Sequence, residues 1–312
     1  MKYTLNQQTQ GALLAILGIF LFSAKAILVK VAYNNFSIDA VSLLLLRMVF
    51  SLPFYLIIMY WQIKRKKTEV SRIDAIQIIL LGIVGYYLAS YFDFVGLKYI
   101  SASLERLILF IYPTLVLFIS AIVLKNKINR NQWLAIIITY LGIFITFGPS
   151  IGLGSQANIW KGSAFIFFSA LTYAMYIVGS GKIIPKLGSV FFTSIAMTVS
   201  CVFVILHHVS IHGFNWGQYP IWIYVIGFVM AIFSTVIPSF LVSEAIKKIG
   251  SSNFAIIGSI GPISTIILAV IFINEKIDVY QLIGTFVVIL GVLQLKGLKT
   301  FKSKIALKAR KL

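Results

Sequence analysis

The chain has 312 residues, of which 60% are hydrophobic and 11% charged, with a mean hydropathy of +0.97 and a formal net charge of +19. A soluble domain carries roughly 25% charge, so an ordinary water-soluble enzyme, a disordered chain and a disulfide scaffold are excluded. Apolar runs of about 20 residues, enough to cross the hydrocarbon layer as helix, recur from end to end and predict an all-α, multi-pass membrane protein.

Ten spans are predicted in chain order: Gly11–Ala32, Ala40–Trp61, Ala75–Leu97, Ser103–Leu124, Trp133–Phe147, Gly162–Gly181, Val190–His207, Ile221–Val242, Asn253–Ile273 and Val279–Leu295. The first run follows a polar start, Met1–Gln10, and is long enough to stay as a span rather than be cleaved. Strand-type alternation is absent, and unpaired amides are too costly in lipid for anything but helices or closed barrels. With the first residues placed in the cytoplasm, 20 Lys and Arg fall on inner segments and 3 on outer loops (Lys98, Lys161, Lys276). That bias predicts both ends on the cytoplasmic side. It also accounts for the net charge without a nucleic-acid partner. The tail 296–312 is basic and is expected against anionic lipid heads. The one cysteine, Cys201, can form no disulfide within the chain.

A charge near a span centre costs roughly 2.5–3.5 kcal/mol on insertion scales, so such a residue faces a cavity or a partner. Lys25 and Arg47 each lie about seven residues from the outer end of their spans, at similar depth. Asp93 and Glu105 are the candidate counter-anions, and Arg106 is a further cation. The set reads as a cationic vestibule suited to an anion or a carboxylate-bearing zwitterion, or as a closed ion-pair network that fixes helix packing. Lys30, about 140° round the helix from Lys25, is expected to snorkel outward.

Tyr86, Ser90 and Asp93 share one helical face, and Ser169, Tyr173, Tyr176 and Ser180 follow similar spacing. Such stripes either line a small-molecule site or bond helices together. Asp93 is also the better candidate for a proton relay. Pro113 and Pro262 near the middle of spans four and nine should bend or open both helices, bordering a cargo site or shaping a static kink. Gly258 and Gly261 permit close backbone approach there. Glu244 is expected to pair with Lys247 and Lys248 at the inner surface. His207, His208 and His212 include an i, i+4 pair, but with no acidic neighbour or cysteine no metal is expected.

The chain also repeats. A shift of 149 positions carries Lys98 onto Lys247, Pro113 onto Pro262, Lys127-Ile128 onto Lys276-Ile277 and Gln132 onto Gln281. Five spans per copy, an odd number, predict an inverted repeat, with halves 1–148 and 149–295.

The stretch Tyr112-Pro113 through Leu124-Lys125-Asn126-Lys127-Ile128, with its partner Gly261-Pro262 through Phe272-Ile273-Asn274-Glu275-Lys276-Ile277, resembles the EamA-type families of the drug/metabolite transporter superfamily. In those families the span often ends with a Gly-Glu pair; copy two keeps Glu275, whereas copy one has Asn126. The resemblance implies secondary transport, in the export direction, of an amino acid or another small carboxylate or anionic metabolite across a bacterial inner membrane. It implies alternating access and no cofactor. The expected partners are the substrate and the lipid bilayer, with room for a homodimer. Gly179-Ser180-Gly181-Lys182 lacks the spacing of a phosphate loop, so a gradient or exchange partner must supply the energy. An intramembrane enzyme lacks a catalytic set, and a non-transporting receptor or scaffold needs neither the charges nor the repeat. Not an enzyme is therefore the reading.

Overall fold

The computed structural model describes residues 7–65, 70–124, 128, 130–147, 156–214, 217, 219–258, 260–274, 278–287 and 289–291. The first helices are α1 (Gln7–Asn35) and α2 (Ala40–Arg65). Next comes α3 (Arg72–Gly82), which runs through a π-helical turn (Ile83–Leu88) into α4 (Ala89–Gly96). Then follow α5 (Ala102–Leu109), α6 (Tyr112–Leu124), α7 (Arg130–Phe147), α8 (Gln156–Leu187) and α9 (Ser189–His212). α10 (Ile221–Ala231) passes through a second π-helical turn (Ile232–Val236) into α11 (Ile237–Ile249). The last are α12 (Ser251–Ile257), α13 (Ile260–Ile273) and α14 (Val279–Gly291). No strand occurs among the described residues.

Seven stretches among the described residues are long and apolar enough to cross a membrane: Gln7–Asn35, Ala40–Lys64, Arg72–Gly96, Ala102–Val123, Asn158–Leu187, Ser189–His212 and Ile221–Ile249. The other three expected spans correspond to shorter helices: α7, the interrupted pair α12 and α13, and α14. Leu17, Ile57, Phe144, Phe228 and Phe286 lie exposed on the helices' outer faces. Apolar exposure on that scale suits a lipid solvent rather than water. The division at 148–149, the basic tail 296–312 and the loop residues Lys66, Lys67, Asn126, Lys127, Glu275 and Lys276 lie outside the described residues.

The 149-residue shift extends beyond the matched sequence. Ala40, Arg72, Ile83 and Ala102, which open α2, α3, the first π turn and α5, land on Ser189, Ile221, Ile232 and Ser251. These open α9, α10, the second π turn and α12. Packing follows the same exchange. α1 lies against α11 and α13, its counterpart α8 lies against α4 and α6, and α2 and α9 pack on each other. α2 and α9 run antiparallel, since Asp39, just before α2, lies 3.5 Å from His212 at the end of α9.

Spans four and nine, which carry Pro113 and Pro262, are both interrupted. The break at Phe110 and Ile111 precedes Pro113, and the one after Ile257 precedes Pro262. Each proline therefore sits in a first helical turn, where its missing amide costs no bond and its ring meets no preceding turn. The two breaks touch: the Tyr112 hydroxyl occupies the place a Cβ on Gly258 would take.

Close contact of α3 with α9 requires a glycine. A Cβ on Gly82 would stand 2.5 Å from the Ala196 carbonyl oxygen, a backbone atom that cannot swing away. Gly82→Val should cost about 1–3 kcal/mol, read as a lower melting temperature of the detergent-purified protein. An unchanged melting temperature would show that these helices do not meet there.

Candidate functional site

At the centre of the bundle is a cavity holding about 830 Å³ of empty space, its mouth included. Helices from both shift-related sets wall it. Lys25 comes from α1, Arg47 from α2, Tyr86 from the first π turn and Ser90 from α4. Arg106 comes from α5, Tyr112 from α6, and Ser169 and Tyr173 from α8. Met197 on α9, Thr235 on the second π turn, Phe254 on α12 and Gly261 on α13 complete the wall, with Gly258 beside the break. A π turn adds a residue to the helix and re-aims the side chains after it. Here the two π turns bring Tyr86 and Thr235 to the cavity.

The charged residues, buried except for the partly exposed Lys25, form a graded set. Lys25 Nζ lies 2.7 Å from Asp93 Oδ2, whose carboxyl is fully buried behind it. Arg106 donates from Nε to Thr265 Oγ1 at 2.9 Å and from Nη2 to the Phe22 carbonyl at 3.2 Å, tying α5 to α13 and α1. Its Nε is 3.8 Å from Glu105 Oε2, and Glu105 is itself fully buried beside Asp93. Arg47 differs. It is 2% exposed, its guanidinium lies 4.8 Å over the Phe94 ring, and its Nε and Nη2 have no hydrogen-bond partner among the described residues. Those two atoms form one edge of the guanidinium, the edge that takes a carboxylate through two parallel bonds.

The remaining sequence candidates fall in two layers. Tyr86, Ser90, Tyr173, Gly258 and Gly261 are on the cavity wall, whereas Asp93 and Glu105 stand behind it. Tyr176 is also behind it, fully buried, its hydroxyl 3.0 Å from that of Tyr86. Ser169 donates to the Ala89 carbonyl at 2.8 Å, while Ser180 bonds within its own helix, to Ile177. Pro113 and Pro262 border the breaks rather than the cavity. Lys30 donates to the Leu97 carbonyl at 3.0 Å, just past the end of α4. A helix end leaves carbonyls unbonded, and a lysine there is stabilised by them.

Glu244 lies 3.7 Å from both Lys247 and Lys248, as expected, and also meets the Ser189 hydroxyl. The histidines do have an acidic neighbour, Asp39, but no group of three metal-ligating side chains forms among the described residues. Burial raises the Asp39 pKa, but the Ser42 hydroxyl, the Ser42 and Val41 amides and His212 outweigh it and hold that carboxyl below its ordinary value.

Sequence reading missed Phe22, Phe110, Tyr112, Met197, Thr235 and Phe254 on the wall. In a chain this apolar, a phenylalanine facing a cavity has the same local signature as one facing lipid. Only Tyr112, next to Pro113, carried a usable signal. The shift-related positions are also informative. Lys25, Arg47, Asp93, Glu105 and Arg106 correspond to Ala174, Ala196, Val242, Phe254 and Ala255, all buried. Only one set of helices carries charge here.

The family model described as EamA-like transporter family matches residues 9–148 and again 160–295. The uncharacterized transporter YcbK of Bacillus subtilis is 29% identical over 308 residues, spanning 96% of this chain and 97% of that one. The uncharacterized transporter sll1319 of Synechocystis is 24% identical, spanning 92% and 93%. A crystal structure of a protein 14% identical has the same fold, with a TM-score of 0.69 over 92% of this chain and 98% of the other.

The Lys25–Asp93 pair should behave as a unit. Asp93→Asn strands a buried ammonium and should cost about 3–5 kcal/mol, measured as lost thermal stability. Adding Lys25→Gln should recover part of it. A double variant no more stable than Asp93→Asn would show that the two side chains are not coupled.

Proposed function

This chain belongs to the EamA-like transporter family, and we propose that it is a secondary transporter carrying a small organic carboxylate by alternating access. The ten predicted spans form two five-helix repeats, 1–148 and 149–295, of opposite orientation. They rock about the central cavity. The chain is a multi-pass membrane protein, and in this reading it lies in a bacterial inner membrane with both ends cytoplasmic and works in export.

One observation carries the reading: a cavity walled by both helix sets holds three cations against two carboxyls, so at least one positive charge is unmatched. A buried unmatched cation is costly, and an anionic substrate removes that cost. The repeat is supported by the helix starts and π turns that recur at 149 residues. Gradient or exchange driving is supported by Gly179-Ser180-Gly181-Lys182, which lies within α8 rather than in a loop that could cradle phosphates.

Counterflow tests this reading. Proteoliposomes preloaded with unlabelled amino acids, keto acids, hydroxy acids or sugar phosphates should accumulate at least one labelled carboxylate from that panel without ATP. Arg47→Gln, inserted and monodisperse, should lower that uptake by about tenfold or more. Uptake of none of the panel's carboxylates, or full uptake by the variant, overturns the proposal.

A further inference from the structure

The cavity wall offers few free charged groups, and this sets which carboxylate fits. Arg47 lines the cavity, and its Nε and Nη2 edge is buried and has no partner among the described residues. The other cations on the wall are committed, Lys25 to Asp93 and Arg106 to Thr265, the Phe22 carbonyl and Glu105. The rest of the wall is mostly aromatic and aliphatic, with Phe22, Phe110, Tyr112, Tyr173, Met197 and Phe254 beside a few hydroxyls such as those of Ser90 and Thr235. At the positions related to the charged ones by the 149-residue shift the second helix set offers only Ala174, Ala196, Val242, Phe254 and Ala255.

No Asp or Glu is among the described lining residues, and both nearby carboxyls lie behind the wall beside their own cations. A substrate ammonium would therefore be desolvated with no anion to receive it, close to three positive charges. A second substrate carboxylate would meet only Lys25 and Arg106, which Asp93, Glu105, Thr265 and the Phe22 carbonyl already engage.

We propose that the substrate is a monocarboxylate with an apolar body, an aromatic or branched aliphatic acid without an amino group. Its carboxylate forks onto the Arg47 Nε and Nη2 edge, and its body lies against the Phe22, Tyr173 and Phe254 side of the cavity. This assignment rests on the carboxylate-transport reading and narrows it. It predicts that zwitterions and dicarboxylates of the same size are discriminated against by charge alone, since the body they share fits equally.

The test compares matched probes on the wild-type protein in proteoliposome counterflow: 3-phenylpropanoate, phenylalanine and phenylsuccinate. 3-Phenylpropanoate should half-saturate exchange at a concentration at least about tenfold below either of the others. Arg47→Lys, which keeps the charge and loses the fork, should raise that concentration about tenfold. Equal or better exchange of phenylalanine or phenylsuccinate overturns the monocarboxylate assignment and leaves carboxylate transport standing. An unchanged half-saturation in Arg47→Lys removes Arg47 as the anchor. Failure of every carboxylate, these three and the broader panel alike, brings down the transport reading as well.

Discussion

A charge held among apolar helices has to be matched, and in this protein that requirement organises the centre of the bundle. Lys25 reaches across from α1 to Asp93 on α4 at 2.7 Å. Arg106 on α5 bonds to α13 through Thr265 and to α1 through Phe22. Of these links only Arg106–Thr265 crosses between the two shift-related sets of helices; Lys25–Asp93 and Arg106–Phe22 tie the first set together. Arg47 is the exception, stacked over Phe94 with one edge unbonded. In a medium where an unmatched charge costs several kcal/mol, such an edge sets Arg47 apart from the other buried charges.

Backbone satisfaction is the second constraint, and it decides where the helices can be irregular. In lipid every amide must be bonded within its own segment, and departures are tolerated only against protein or a cavity. The two π turns and the two helix breaks fit that rule. Tyr86, Thr235, Phe110, Tyr112 and Gly258 all lie at or beside an irregularity, and all face the cavity. The regular helices face outward, where apolar side chains such as Leu17, Ile57 and Phe144 are exposed.

The repeat is close in backbone and unequal in chemistry. Helix starts and π turns recur at the same 149-residue offset, while the five charged residues of the first copy meet alanine, valine and phenylalanine in the second. Unequal chemistry confines the buried charges to the first copy.

The sequence by itself determined the helical class, the membrane setting, the repeat and which charged residues were too expensive to leave facing lipid. Those conclusions depend on composition, period and spacing, and Lys25, Arg47, Asp93, Glu105 and Arg106 stand out because a charge in an apolar run is conspicuous wherever it points. The tertiary structure decided the rest. It paired Lys25 with Asp93, left the Arg47 edge unbonded, put Lys30 on a carbonyl and buried Tyr176 behind Tyr86. It also chose Phe22, Met197 and Phe254 for the wall from among many similar residues. Partnership and facing depend on where other helices stand, and a linear pattern of apolar residues does not encode that when lipid and protein interior are equally apolar.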